Sequence, residues 1–128
     1  VMAHCGLRPQ SVHQLGGYCV QRDEAALLDD ARAAAEAGAF AVVLECIPAT
    51  TAARITAGVS IPTIGIGAGR DCDGQVLVLH DVLGLSSDYA PKFVKAYADL
   101  KSTVVDAVRT FRDEVRDGAF PGPEHQYE

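Results

Sequence analysis

No apolar run in these 128 residues approaches the ~18 needed to span a bilayer. The first residues also lack the charged, apolar and small-residue order of a secretory signal. Positive charge is scarce: 11 Lys and Arg stand against 17 Asp and Glu, for a formal charge of −6. That balance counts against a nucleic-acid surface, which would be basic. A soluble, cytoplasmic protein is the expectation. Cysteine is sparse and scattered. Cys5, Cys19, Cys46 and Cys72 form no C-x-x-C pair and have no His at ligand spacing, which argues against a zinc site and a disulfide framework. Cys72 lies between Asp71 and Asp73, whose charges are expected to raise its pKa and blunt its nucleophilicity. There is no G-x-S-x-G, P-loop or H-E-x-x-H motif, no internal repeat and no low-complexity tract.

What is present is an alternation of short apolar strands and helices. Val1-Met2-Ala3 reads as the end of a strand with no cap or turn before it, so the chain is expected to start mid-fold, as the C-terminal part of something longer. A loop rich in Gly, Pro, Gln and Ser follows over residues 6–17. Asp23 is a good N-cap for a helix over residues 25–36, with Leu27, Leu28, Ala31, Ala34 and Ala35 as its apolar stripe and Gly38 beyond its end. Phe40-Ala41-Val42-Val43-Leu44 is continuous and uncharged, as in a strand buried on both faces. Pro48 opens a short helix to about Ala57, burying Ala52, Ala53 and Ile55, and Thr63-Ile64-Gly65-Ile66 is the next strand.

This order predicts βαβ units and a parallel sheet. Residues 75–79 have strand composition but follow Gly69 too closely for a parallel crossover, which takes a dozen residues or more. They are expected to form a short helix or a local extension at the sheet's rim, with the next parallel strand at Phe93-Val94-Lys95-Ala96-Tyr97. A helix over residues 102–117 carries Val104, Val108, Phe111 and Val115 on one face and stops at Gly118, before an irregular tail. Four strands with intervening helices fit the C-terminal half of a (β/α)8 barrel, which takes ~250 residues when complete. An open doubly wound sheet is the alternative.

Glu45 is the residue that packing does not explain. It ends the strand from Phe40 to Leu44, at the end of a parallel strand where ligands bind and chemistry happens. It is either a solvated or Arg-paired strand end or a catalytic acid or base. His4 ends the first strand in this reading, so the two could face one pocket, although a strand-end His is also a common structural residue. His80-Asp81 is a candidate acid–base pair, but adjacent side chains point apart. His13 and His125 fall in loop and tail. Gly65-Ile66-Gly67-Ala68-Gly69 lacks the G-x-G-x-x-G spacing and the following helix of a dinucleotide site, leaving only glycines that let backbone approach a ligand closely. Asp71-x-Asp73-Gly74 has part of a calcium loop without the remaining ligands, and reads as a solvated turn.

Several stretches, taken in order, resemble the ketopantoate hydroxymethyltransferase family. They are residues 3–12 (Ala3-His4-Cys5-Gly6-Leu7-Arg8-Pro9-Gln10-Ser11-Val12), Gly16-Gly17-Tyr18 with Val20-Gln21, Val43-Leu44-Glu45-Cys46-Ile47-Pro48, residues 61–69, residues 73–81 and residues 120–125. They match the C-terminal half of that family's enzyme. The resemblance implies a (β/α)8 TIM barrel of the phosphoenolpyruvate/pyruvate-like superfamily, assembled as a homo-oligomer, usually a decamer. It implies transfer of a hydroxymethyl group from 5,10-methylenetetrahydrofolate to α-ketoisovalerate (3-methyl-2-oxobutanoate), giving ketopantoate for pantothenate synthesis. A magnesium ion would chelate the keto acid and acidify its C–H. Glu45 matches the proton acceptor, and His4 matches a histidine lining the keto-acid site.

The magnesium carboxylates and a substrate Ser and Lys belong to the family's N-terminal half, so no metal ligand is expected in this chain and the piece alone is expected to be inactive. Arg8 stands where the family usually has Thr, Cys5 stands in a normally aliphatic place, and the loop over residues 20–23 is several residues short, which bears on loop closure. Two other classes compete: a lyase acting on a pyruvate-like enolate without folate, and a non-catalytic half-barrel that only assembles with a partner.

Overall fold

A computed structural model of the chain describes residues 1–14, 16–86 and 90–127. They fall into two units, Val1–Leu77 and Val78–Glu128, each described by itself.

The first unit is built on a parallel sheet of four strands in sequential order: β1 (Met2–Gly6), β2 (Ala41–Glu45), β3 (Thr63–Ile66) and β4 (Gly74–Gln75). Register puts His4 opposite Val43, Gly6 opposite Glu45, and Glu45 opposite Ile66. Side chains alternate across a strand, so Cys5, Val42 and Leu44 share one face. There they pack with Leu27 and Ala31 of α1 (Glu24–Glu36) and with Ala52 and Ile55 of α2 (Ala49–Gly58). Val42, Leu44 and Ile55 are fully buried, each contributing about 1.5–3 kcal/mol through removal from water. His4, Val43, Glu45, Ile64 and Ile66 lie on the other face and are half-buried.

A local signal sets α1, and a contact from α1 holds α2. The Asp23 carboxylate caps α1 by accepting from the Ala26 amide at 3.1 Å. Glu24 then ties α1 to α2, accepting from the Thr51 hydroxyl at 3.2 Å and pairing with Arg54. In α2 the buried residues are Thr51, Ala52 and Ile55; Ala53 is only half-buried.

Residues 74–84 supply both of the alternatives expected there. Gly74 and Gln75 pair with Ile64 and Gly65 as a two-residue rim strand, and Leu79–Val82 forms the short helix α3. So short a strand escapes the crossover-length rule, because a loop of seven residues suffices to reach it. Asp73 anchors it. Its carboxylate accepts from the Thr63 amide at 2.8 Å and the Thr63 hydroxyl at 3.0 Å, and that hydroxyl lies 2.9 Å from the Thr56 hydroxyl. The turn at Asp73 is thus a structural clamp on fully buried Thr63, not merely a solvated bend.

The Thr63 amide, and after it the Thr63 hydroxyl, hold the Asp73 carboxyl below its ordinary range. Between the folded and unfolded pKa values the unfolded chain binds more protons. This contribution is therefore complete above the unfolded value of ~3.9 and is lost as pH falls through the lower folded value. Asp73→Asn is expected to flatten that part of the acid dependence. Urea midpoints taken downward through the carboxylate range check it, and an unchanged acid slope would contradict the clamp.

The second unit corrects one expectation. Residues 93–97 are not a strand: a turn closes from the Val94 amide to the Pro91 carbonyl at 2.9 Å, and the Tyr97 amide donates to Val82 of α3 at 2.8 Å. Lys95, Ala96 and Tyr97 are exposed and Phe93 and Val94 only half-buried, so the segment has no fully buried face to recruit it into a sheet. The long helix α4 (Leu100–Asp117) begins two residues earlier than expected because Asp99 caps it, accepting from the Ser102 amide at 3.3 Å. Phe111 meets Phe120 edge-on with ring centroids 5.5 Å apart. The tail holds one 3-10 turn, Pro123–His125. Among the described residues no helix is long and apolar enough to cross a membrane.

Candidate active site

Glu45 sits at the C-terminal end of β2, between two neighbouring strands that also end there. Its backbone is held from both sides. The Glu45 carbonyl accepts from the Leu7 amide at 2.9 Å, and the Cys46 amide donates to the Ile66 carbonyl at 2.9 Å. The first bond requires Gly6: at φ +88, a Cβ there would lie 2.2 Å from the Glu45 carbonyl oxygen. Cys46 follows at φ +49, the only left-handed non-glycine among the described residues. Its carbonyl accepts from the Gln21 amide at 3.0 Å, so the loop expected to be short still reaches this strand end.

β1 runs on through Cys5 and Gly6, so His4 stands in mid-strand instead of ending it. Cys5 fits against α1 and Gly6 offers no side chain to obstruct β2, which lets the ladder continue. The two residues meet all the same. They share a face, offset by two positions, and His4 Nε2 lies 3.1 Å from Glu45 Oε2. The side chains are 31% and 16% exposed. Nε2 is itself buried and faces the carboxylate at ion-pair distance without hydrogen-bond geometry. A carboxylate beside an imidazole can take up a proton.

The other candidates do not join this pair. His80 is exposed, while half-buried Asp81 bonds the Ser86 hydroxyl. His13 is exposed in a turn. His125 packs on Phe120, and its Nδ1 accepts from the Gly122 amide at 3.2 Å. In the glycine loop, a Cβ at Gly69 would come 2.5 Å from Ala49 Cβ, so that glycine permits close approach to α2, not to a ligand. Arg8 lines a cavity of about 100 Å³ with Gly6, Gln21, Asp23, Leu27 and Asp30; neither His4 nor Glu45 lines it.

All four thiols are free. The Cys72 thiol is raised as expected, but burial is the main cause, with Asp73 and Asp71 adding less and hydrogen bonds with Thr56 and Thr63 opposing it. Burial, then the Glu45 charge, raises the Cys46 thiol. Sequence reasoning missed the backbone roles of Gly6, Gln21 and Cys46. Only Gly6, a glycine following an apolar stretch, carried a signal.

A carboxylate at the C-terminal end of a parallel strand, with an imidazole beside it on the same face, defines an α/β protein with a polar group where such folds bind small molecules. The sequence profile of ketopantoate hydroxymethyltransferase matches residues 1–123. The chain is 62% identical over 130 residues to the 3-methyl-2-oxobutanoate hydroxymethyltransferase of Trichlorobacter lovleyi, covering 99% of this chain and 49% of that protein. The Geobacter sulfurreducens protein of the same name is 60% identical over 131 residues, with 99% and 49% covered. That of Frankia alni is 61% identical over 130 residues, with 99% and 43% covered. The chain belongs to the ketopantoate hydroxymethyltransferase family and spans about half the length of the curated relatives it matches.

Proposed function

We propose that this chain is the C-terminal half of a (β/α)8 barrel enzyme that adds a hydroxymethyl group to 3-methyl-2-oxobutanoate, with Glu45 as the base and His4 in the keto-acid site. The observation that carries the reading is the His4–Glu45 contact at 3.1 Å on the rim of a parallel sheet, in a member of this family. The carbon next to the keto group bears the acidic proton. Glu45 removes it and holds it as a carboxylic acid. The enolate carbon bonds to the one-carbon unit of 5,10-methylenetetrahydrofolate as that carbon's two bonds to folate nitrogens break, and water supplies the hydroxyl oxygen. The proton held by Glu45 and one from water go to the nitrogens, leaving tetrahydrofolate. The His4 imidazole, beside Glu45 on the same face, bonds a polar oxygen of the keto acid and orients it.

Magnesium does not fit the residues at hand. Among the described residues no three His, Cys, Asp or Glu side chains gather to hold an ion, and magnesium takes about six oxygens in octahedral geometry. No step proposed for this chain runs through it, and its ligands are assigned to the half of the relatives' length that this chain does not span, as is the remainder of the substrate site. Homo-oligomeric assembly belongs to the same proposal.

The test is to join this chain to the N-terminal half of the Trichlorobacter lovleyi relative and assay ketopantoate formation. Activity that depends on methylenetetrahydrofolate supports the reading. Cleavage of a pyruvate-like substrate without folate would favour a lyase, and a folded but inert assembly would favour a scaffold.

A further inference from the structure

We propose that Cys46 is a positioning residue whose left-handed backbone aims the Glu45 carboxylate at His4. The inference rests on the reading of Glu45 as a base. The Glu45 carbonyl and the Cys46 amide are the two ends of one peptide group. That group spans the sheet, bonded to Leu7 at the end of β1 and to Ile66 at the end of β3. It is therefore fixed in plane and in rotation. At Cys46 the chain then turns through φ +49, which directs the next carbonyl to the Gln21 amide and takes the backbone out of the β2 ladder immediately after Glu45.

An extended Cys46 would need a rotation of more than a right angle about its N–Cα bond. Either the Gln21 bond or the peptide between β1 and β3 would be lost, and with it the support beneath Glu45. Left-handed backbone at a non-glycine persists only where its surroundings over-determine it, and such residues cluster at functional sites. Three hydrogen bonds from three segments supply that over-determination here. The thiol plays no part; what matters is tolerance of positive φ.

Tolerance of positive φ runs Gly, then Asn, then Ala, with β-branched Val last. Fit to a small half-buried site runs differently, with Ala ahead of Asn. The chain has four histidines, so a 15N-histidine spectrum resolves His4 once it is assigned. The readout is the change in the His4 ring 15N shift caused by Glu45→Gln, recorded in the parent chain and in Cys46→Gly, Cys46→Asn, Cys46→Ala and Cys46→Val. The change is expected to persist in the Gly and Asn variants, to drop by half or more in the Ala variant, and to vanish in the Val variant. If the Val variant does not fold, the comparison of Asn with Ala decides.

A response that follows side-chain fit, with Ala retaining the change and Asn losing it, overturns the proposal. So does a parent chain in which Glu45→Gln leaves His4 unmoved. In the joined enzyme, Cys46→Gly should retain turnover while Cys46→Val lowers kcat at least tenfold with little change in KM. The spectrum does not depend on turnover. If the shifts follow φ tolerance while Glu45→Gln keeps full activity, the base role fails and the positioning geometry stands.

Discussion

Glu45→Gln is expected to lower kcat in the joined enzyme by about a hundred- to ten-thousand-fold, the usual contribution of a positioned general base. Glutamine keeps the size and planarity of the side chain but its amide does not take up a proton at neutral pH. Among the described residues the Glu45 side chain makes no hydrogen bond that holds the fold together; the structural bonds there come from its backbone and survive the change. The keto acid should therefore still bind, with KM moving little. His4→Gln should behave in the opposite way. It removes a group that orients substrate, worth about tenfold in KM for one hydrogen bond, and leaves most of kcat. A Glu45→Gln enzyme that turns over at the parent rate would remove the proposed mechanism.

Gly6→Ala is expected to destabilise the first unit by on the order of 3 kcal/mol, and to disturb the site as well. Two costs combine. Left-handed backbone disfavours any side chain by about 1–2 kcal/mol, and Gly6 sits at φ +88. The added methyl would also stand 2.2 Å from the Glu45 carbonyl oxygen and 2.7 Å from Ile47 Cγ2, so β1 and β2 must part at their C-terminal ends. Parting breaks the bond from the Leu7 amide to Glu45, and leaving such groups unpaired in the interior costs about 1–3 kcal/mol. Urea unfolding measures the total. A loss below about 1 kcal/mol would mean that the strand ends relax freely and that Gly6 does not set the position of Glu45.

The parts of this structure that were legible in the sequence are those set by neighbouring residues. The strand ending at Glu45 follows from an uncharged run, and α1 from the Asp23 cap and a helical stripe. Both lie where expected. The parallel sheet follows from the alternation of these elements. What stayed open or failed to show was set by distant contacts. Residues 75–79 read as either a rim extension or a short helix, and the division between them is fixed by the hydrogen bonds between Asp73 and Thr63, which hold the two-residue β4. Residues 93–97 have strand-like side chains, yet the Tyr97 amide goes to α3.

The same divide runs through the site. That His4 and Glu45 come together was readable from two polar residues beside apolar strands. That His4 lies in mid-strand was not, because Cys5 and Gly6 resemble a turn until Gly6 is seen to make room for Glu45. Nor does cysteine announce a left-handed backbone. The bend at Cys46 arises from bonds to residues 20 and 25 positions away in the chain, Ile66 and Gln21.

The most direct test of the central claim is exchange of the proton beside the keto group of 3-methyl-2-oxobutanoate, followed by NMR in deuterated water with the joined enzyme. If Glu45 is the base, the enzyme exchanges this proton faster than solution does, and Glu45→Gln abolishes that exchange while still binding the keto acid. Undiminished exchange in Glu45→Gln would place the base elsewhere and contradict the account.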